Sequence, residues 1–161
     1  MERRKIYANY TNETIRVYQA FRENIAKEAI ELQTFGKFFK LERMTWIKPS
    51  FLWMMYRSGW ATKAGQEKIL AIDITPSGFE EILSNVVLAS FDKDVYNDHD
   101  EWRRLMTHSL VRCQWDPERD IFGQPLERRS IQLGLKGEMV LKYVNEWIVQ
   151  ITDMTPQVEI W

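Results

Sequence analysis

The sequence holds one cysteine, Cys113, and two histidines, His99 and His108. A lone thiol excludes an internal disulfide and fits a reducing compartment. Three such ligands cannot build the usual structural zinc sets. No apolar run approaches the ~20 residues a membrane-crossing helix needs. The basic start, MERRKIYANY, has no apolar stretch behind it, so no secretory signal is expected and the cytoplasm is the expected location. Formal net charge is only −1, which argues against broad electrostatic binding to duplex DNA and leaves room for a local basic patch. GxGxxG, the Gly-Lys-Ser/Thr phosphate loop, HExxH and GxSxG are all missing, and so are repeats and low-complexity segments.

Aromatic residues, by contrast, are plentiful. At 13% of the chain they exceed what filling a core requires, so some are expected to crowd a pocket. A chain of 161 residues buries about 70% of its unfolded surface without a metal or disulfide staple. One domain over residues 1–161 is expected, with 1–12 and 156–161 as loose ends.

Arg43 to Gln66 concentrates this aromatic content. Trp46, Trp53 and Trp60 fall seven residues apart, among the cations Arg43, Lys48, Arg57 and Lys63, with Lys68 just beyond. Pro49 suits the first turn of a helix and Gly59 the left-handed residue after one. The spacing therefore predicts a helix from Pro49 to Ser58, burying Phe51, Leu52, Met55 and at least one of Trp53 and Trp60. Arg57 falls near its negative end. The block reads either as a core helix with snorkelling cations or as an aromatic-walled basic pocket for an anionic, nucleotide-like ligand. Ser50, Ser58 and Thr62 supply hydroxyls to either.

Around this block, period-2 alternation predicts strands at Thr14–Phe21, Lys68–Ile74, Val111–Trp115, Arg129–Leu135 and Trp147–Thr152. Helical spacing predicts helices at Glu23–Phe35, from Ser77 (with Glu80 as a capping box) to about Ala89, at Glu101–His108 and at Gly137–Asn145. Phe79, Ile82, Leu83, Val86 and Val87 form the buried face of the second of these. Asp116-Pro117 is expected to stop its strand, and Pro117–Glu127 to be a polar loop. The aspartate-rich run Asp92 to Asp100 lacks the order of a calcium loop and reads as solvated. Strands and helices mix without strict alternation, so the expected class is α+β, a mixed or antiparallel sheet with packed helices.

The runs ERMTWIKPSFLWMMYRSGWATK, VRCQWDPERD and RSIQLGL, with TIRVYQAF before them, resemble the family catalogued as domain of unknown function 4291. That resemblance implies a compact single domain and carries no activity. The order of Arg16 on TIRVYQAF, Ser58 in RSGWATK and Glu146 in NEWIVQI is also similar to the ADP-ribosyltransferase superfamily. By that resemblance Arg16 would hold the phosphate or ribose of NAD and Ser58 would support the site. Glu146 would stabilise the ribosyl cation left as nicotinamide departs. The superfamily's Ser-Thr-Ser triplet is absent, and Val144 stands where many members place Gln or Glu.

Three functions follow as expectations. The first is an NAD-dependent ADP-ribosyltransferase with catalytic Glu146, in which Arg16, Tyr18, Gln19, Trp46, Lys48, Ser50, Trp53, Arg57 and Ser58 form the cofactor site. The second is a nucleotide or single-stranded RNA binding module, in which Trp46, Trp53 or Trp60 stacks on bases while Arg43, Lys48, Arg57 and Lys63 contact phosphates. The third is a protein-interaction domain anchored by exposed aromatic and arginine side chains.

Overall fold

A computed structural model describes residues 5–160, which form two sheets with helices packed on them, an α+β fold. In chain order the elements are β1 (Ile15–Phe21), α1 (Glu23–Leu32), β2 (Thr45–Ile47), α2 (Phe51–Ser58), β3 (Lys68–Ile74), α3 (Pro76–Ser84) and β4 (Val86–Leu88). They continue with α4 (His99–His108), β5 (Val111–Arg119), β6 (Pro125–Leu135), α5 (Glu138–Lys142), a π-helical turn (Tyr143–Trp147), β7 (Ile148–Asp153) and α6 (Thr155–Ile160). The first sheet has the order β1-β3-β7 and is antiparallel. The second has the order β2-β6-β5-β4, and only its β4–β5 pair is parallel. Among the described residues no helix is long and apolar enough to cross a membrane.

Alternation decides what each strand buries. From β1, Val17 enters the main core with Leu70, Ile72, Ile74 and Ile151. Its neighbour Tyr18 points the other way, onto Ile69, Ala71, Met54, Met55 and Val158. Central β3 thus has helices or sheet on both faces, which is why KILAIDI reads as a near-continuous apolar run. Ile47, Val111, Cys113, Ile131, Leu133 and Leu135 bring the second sheet into the same main core. A polar strut also joins the sheets. Gln19, 3% exposed, donates to the Thr45 hydroxyl (2.7 Å) and the Trp46 carbonyl (3.0 Å) and accepts from the Tyr143 hydroxyl (2.7 Å).

All five expected strands are present, Lys68–Ile74 with the expected bounds and the other four with altered ones. β5 runs through Asp116-Pro117 to Arg119: its pairing with β4 ends at Leu88 opposite Cys113, so beyond that point it is an edge strand paired with β6 alone, where a proline is tolerated. A register shift between Pro117 and Arg119 absorbs the ring. The expected loop therefore shrinks to a turn, in which the Asp120 carboxylate accepts from the N–H groups of Phe122 and Gln124. Val86 and Val87 belong to β4 and not to the preceding helix, which ends at Ser84. That helix is capped by Thr75, whose hydroxyl accepts from Gly78 N–H, with Pro76 in its first turn in place of the Ser77 capping box. Ser58 closes α2, where Trp53, Met54 and Met55 are buried while Phe51 and Leu52 are half-buried.

The ends depart from the expected looseness. Residues 156–160 lie in α6, tied down by buried Val158 and by Thr155, whose hydroxyl accepts from Ile69 N–H. Near the start, Asn9 accepts from Arg16 N–H and Ile6 packs on the core. Residues 1–4 and 161, also expected as loose, lie outside the described residues.

One close approach makes a test of this packing. A Cβ on Gly78 would sit 2.4 Å from the Trp147 indole, which is itself buried. Gly78→Ala should therefore lower stability by about 1–3 kcal/mol through overpacking, although alanine is the better helix former. Urea unfolding checks the sign; an unchanged or raised midpoint would show that Trp147 has room to move.

Candidate functional site

Where the two sheets part beside α2, they leave an open cleft of about 580 Å³. Gln19, Ala20 and Phe21 at the end of β1 form one side, and Met44, Thr45, Trp46 and Lys48 form the next. Met54 and Arg57 from α2, Gln66, and the facing pair Gln114 and Gln132 from β5 and β6 complete it. Among the described residues its wall holds two cations, four amides and aromatic rings, and no carboxylate.

Local structure explains how the cations come together. β2 turns Ile47 into the core and Trp46 outward, as alternation requires. Trp46 pairs in register with Gly134, where an added Cβ would lie 2.9 Å from the indole and from Met44 Sδ, so glycine makes the seat for this ring. Tyr18 N–H donates to the Lys48 carbonyl (2.7 Å), fixing the backbone after β2 against β1. Ser50 then starts α2: its hydroxyl accepts from Trp53 N–H and donates to Glu118 Oε1 (2.8 Å). In its last turn, α2 presents Arg57 to the cleft.

The expected site residues divide into three groups. Gln19, Trp46, Lys48 and Arg57 share the cleft. Tyr18, Ser50, Trp53 and Ser58 support its walls. Tyr18 packs edge-on against Phe51, and Trp53 lies under the Lys48 ammonium, 5.7 Å from Nζ to the ring centroid. Ser58 is fully buried; its hydroxyl and carbonyl accept from Ala61, Thr62 and Lys63 N–H and hold the left-handed run Gly59-Trp60-Ala61. Arg16 and Glu146 stand elsewhere. Arg16 makes a bidentate pair with Asp73 (2.8 and 3.0 Å), its register partner on β3, and that hydrogen-bonded carboxylate raises its pKa. Glu146 is exposed in the π-helical turn, in the field of Lys142, whose ammonium binds Glu81 at 2.8 Å. Neither residue lines the cleft.

Gln66, Gln114 and Gln132 were not anticipated. The two strand glutamines could have been found from alternation, since Ile131, Leu133 and Cys113 face the core and place 132 and 114 on the other side. Which element that side would face was not readable. Both amides donate to Asp116, at 3.2 Å from Gln132 and 3.1 Å from Gln114.

A family model described as Domain of unknown function (DUF4291) matches residues 5–161. The chain belongs to this family. A comparison with curated proteins finds no match.

In this DUF4291 chain the electrostatics of the cleft centre on Lys48. Its side chain is buried, 7% exposed, yet among the described residues it has no carboxylate partner. Its contacts are a long hydrogen bond to the Trp46 carbonyl (3.4 Å) and the face of Trp53. Desolvation first, and the positive field of Arg57 second, bring its pKa from 10.5 down to about 8. Arg57 is exposed and likewise makes no ion pair with a described residue.

Proposed function

We propose that this DUF4291 chain binds a phosphate-bearing, nucleotide-like ligand in the cleft between its sheets. The observation that carries this reading is the pair Lys48 and Arg57, two neighbouring cations on one wall with no carboxylate partner among the described residues. Burying the Lys48 ammonium beside the like charge of exposed Arg57 is costly unless an anion joins them, and a phosphate supplies that anion with acceptors for both. Trp46 offers a flat face for a base, and the glutamine amides offer donors and acceptors to sugar and base edges.

The shared wall residue Gln114 favours an extended form of this ligand. Beyond it lies a second hollow of about 450 Å³, lined by Phe91, Lys93, Trp115 and Arg129 together with Asp92 and Asp94. A single-stranded RNA could place one nucleotide in each hollow, with rings and cations alternating along its path.

Calorimetric titration with AMP, NAD and a short single-stranded RNA tests the reading. Binding of at least one is expected, weakened about tenfold or more in Arg57→Ala, as loss of a charge-assisted hydrogen bond requires. Tighter binding of RNA than of AMP would favour the extended form. Turnover of NAD that is lost in Glu146→Gln would favour the ADP-ribosyltransferase reading instead, despite the Arg16–Asp73 pair. If none of the three ligands releases heat, the nucleotide site is wrong.

A further inference from the structure

The same cleft carries a chemical capacity beyond binding, and the inference rests on the phosphate-binding reading. A lysine that only counters phosphate gains from being exposed and fully charged, as Arg57 is. Lys48 is placed differently. It is nine-tenths buried on the cleft wall, its Nζ held between the Trp46 carbonyl at 3.4 Å and the Trp53 ring, with a second cation as its neighbour. Among the described residues no carboxylate pairs with it to keep it protonated; the charged group whose field acts on it is Arg57. An amine desolvated beside another cation is the arrangement that activates lysine as a nucleophile.

We infer that Lys48 forms an imine with an aldehyde borne by a small phosphorylated ligand, whose phosphate is held at Arg57. The neutral Nζ donates its lone pair to the carbonyl carbon, so that a C–N bond forms and the carbonyl oxygen takes up a proton. The resulting carbinolamine loses that oxygen as water, together with a proton from nitrogen, and leaves C=N. Amine and aldehyde become imine and water, with no oxidant or reductant. Protonation of the imine returns a positive charge beside the phosphate. A pKa of about 8 leaves roughly one amine in ten neutral at pH 7, against fewer than about one in a thousand for an ordinary lysine.

Pyridoxal 5′-phosphate is the probe, with borohydride reduction to trap the imine and peptide mass spectrometry to locate it. Preferential labelling of Lys48 over the other lysines is expected, half-maximal near pH 8 and suppressed by excess AMP. Unphosphorylated pyridoxal should label Lys48 at least about tenfold more slowly, and Arg57→Ala should remove most of that difference. Lys48→Arg should abolish the specific adduct; comparing the two aldehydes on the unaltered protein keeps the test valid if that variant folds poorly. Labelling spread evenly over surface lysines, or equal rates for the two aldehydes, would overturn the inference. AMP binding without Lys48 labelling would sink the imine alone. Lys48 labelling that AMP does not suppress would instead separate the amine's reactivity from the nucleotide site, and the inference in this form would fall with that reading.

Discussion

Lys48→Met is expected to stabilise the protein at pH 7 while abolishing binding of AMP. In the folded protein the Lys48 ammonium has a pKa of about 8, against 10.5 for a free lysine. Below pH 8 both folded and unfolded chains hold the proton, and the folded chain bears the whole cost of burying it. Between about 8 and 10.5 the unfolded chain binds more protons, so wild-type stability rises with pH through that window. Above it the amine is neutral in both states and the penalty is gone. The shift corresponds to a penalty on the order of 3 kcal/mol. Methionine has nearly the volume of lysine and carries no charge, so it removes the penalty while keeping most contacts with Trp53. A gain of about 1–3 kcal/mol at pH 7 is expected after subtracting the lost cation–π contact. Urea midpoints of both proteins at pH 7 and pH 9.5 check it, because the variant's advantage should narrow at the higher pH. A variant less stable than wild type at pH 7 would mean that Lys48 has an anionic partner in solution. The gain in stability with loss of binding is the trade expected where a costly group is retained for function.

Gln19→Leu should have the opposite sign and a larger size. The glutamine spends both amide hydrogens and its carbonyl on Thr45, Trp46 and Tyr143, so leucine leaves the Thr45 and Tyr143 hydroxyls without that partner and the Trp46 carbonyl with only its long bond from Lys48. Each orphaned group costs about 1–3 kcal/mol, and a total loss of roughly 3–5 kcal/mol is expected. Tyr143→Phe removes a single member of the strut and should cost less, about 1–2 kcal/mol. The pair should be strongly non-additive: Tyr143→Phe placed in the Gln19→Leu background should cost little or improve stability, since one orphan disappears. A double-mutant cycle by denaturant unfolding measures this. Additive losses would show that water, not Gln19, satisfies Tyr143. Because the strut spans β1, β2 and the π-helical turn, its loss should also loosen the cleft wall and weaken AMP binding.

The contrast between these two residues shows where local reading of the chain succeeds. Lys48 was identifiable as a site candidate because Trp46, Lys48, Trp53 and Arg57 crowd into one short block, and proximity in sequence brings them near one another in space. The strands of the core were legible for the same reason, since period-2 alternation is a local property that survives any tertiary arrangement. So was α2, whose end is marked by Gly59 at φ +59°, although it starts at Phe51 behind the Ser50 cap, so Pro49 precedes the helix and does not open it as expected. The three-residue strands β2 and β4 left too short a pattern to read. Val86 and Val87 continue a helical spacing equally well, and only pairing with Val111 and Arg112 makes them a strand.

By itself, then, the sequence determined the α+β class, the places of the core strands and the basic aromatic block, all of which follow from side-chain period and turn chemistry. Tertiary structure alone decided the partners of its charged and polar groups. Arg16 faces Asp73 because antiparallel register sets position 16 against 73, and a register slip of one residue would have turned the two to opposite faces. Gln19 became a strut, and Gln114 and Gln132 became cleft wall, through contacts between elements distant in the chain. A polar side chain's role depends on which acceptor, donor or charge lies opposite it, and that is set by how sheets and helices meet rather than by its neighbours in sequence.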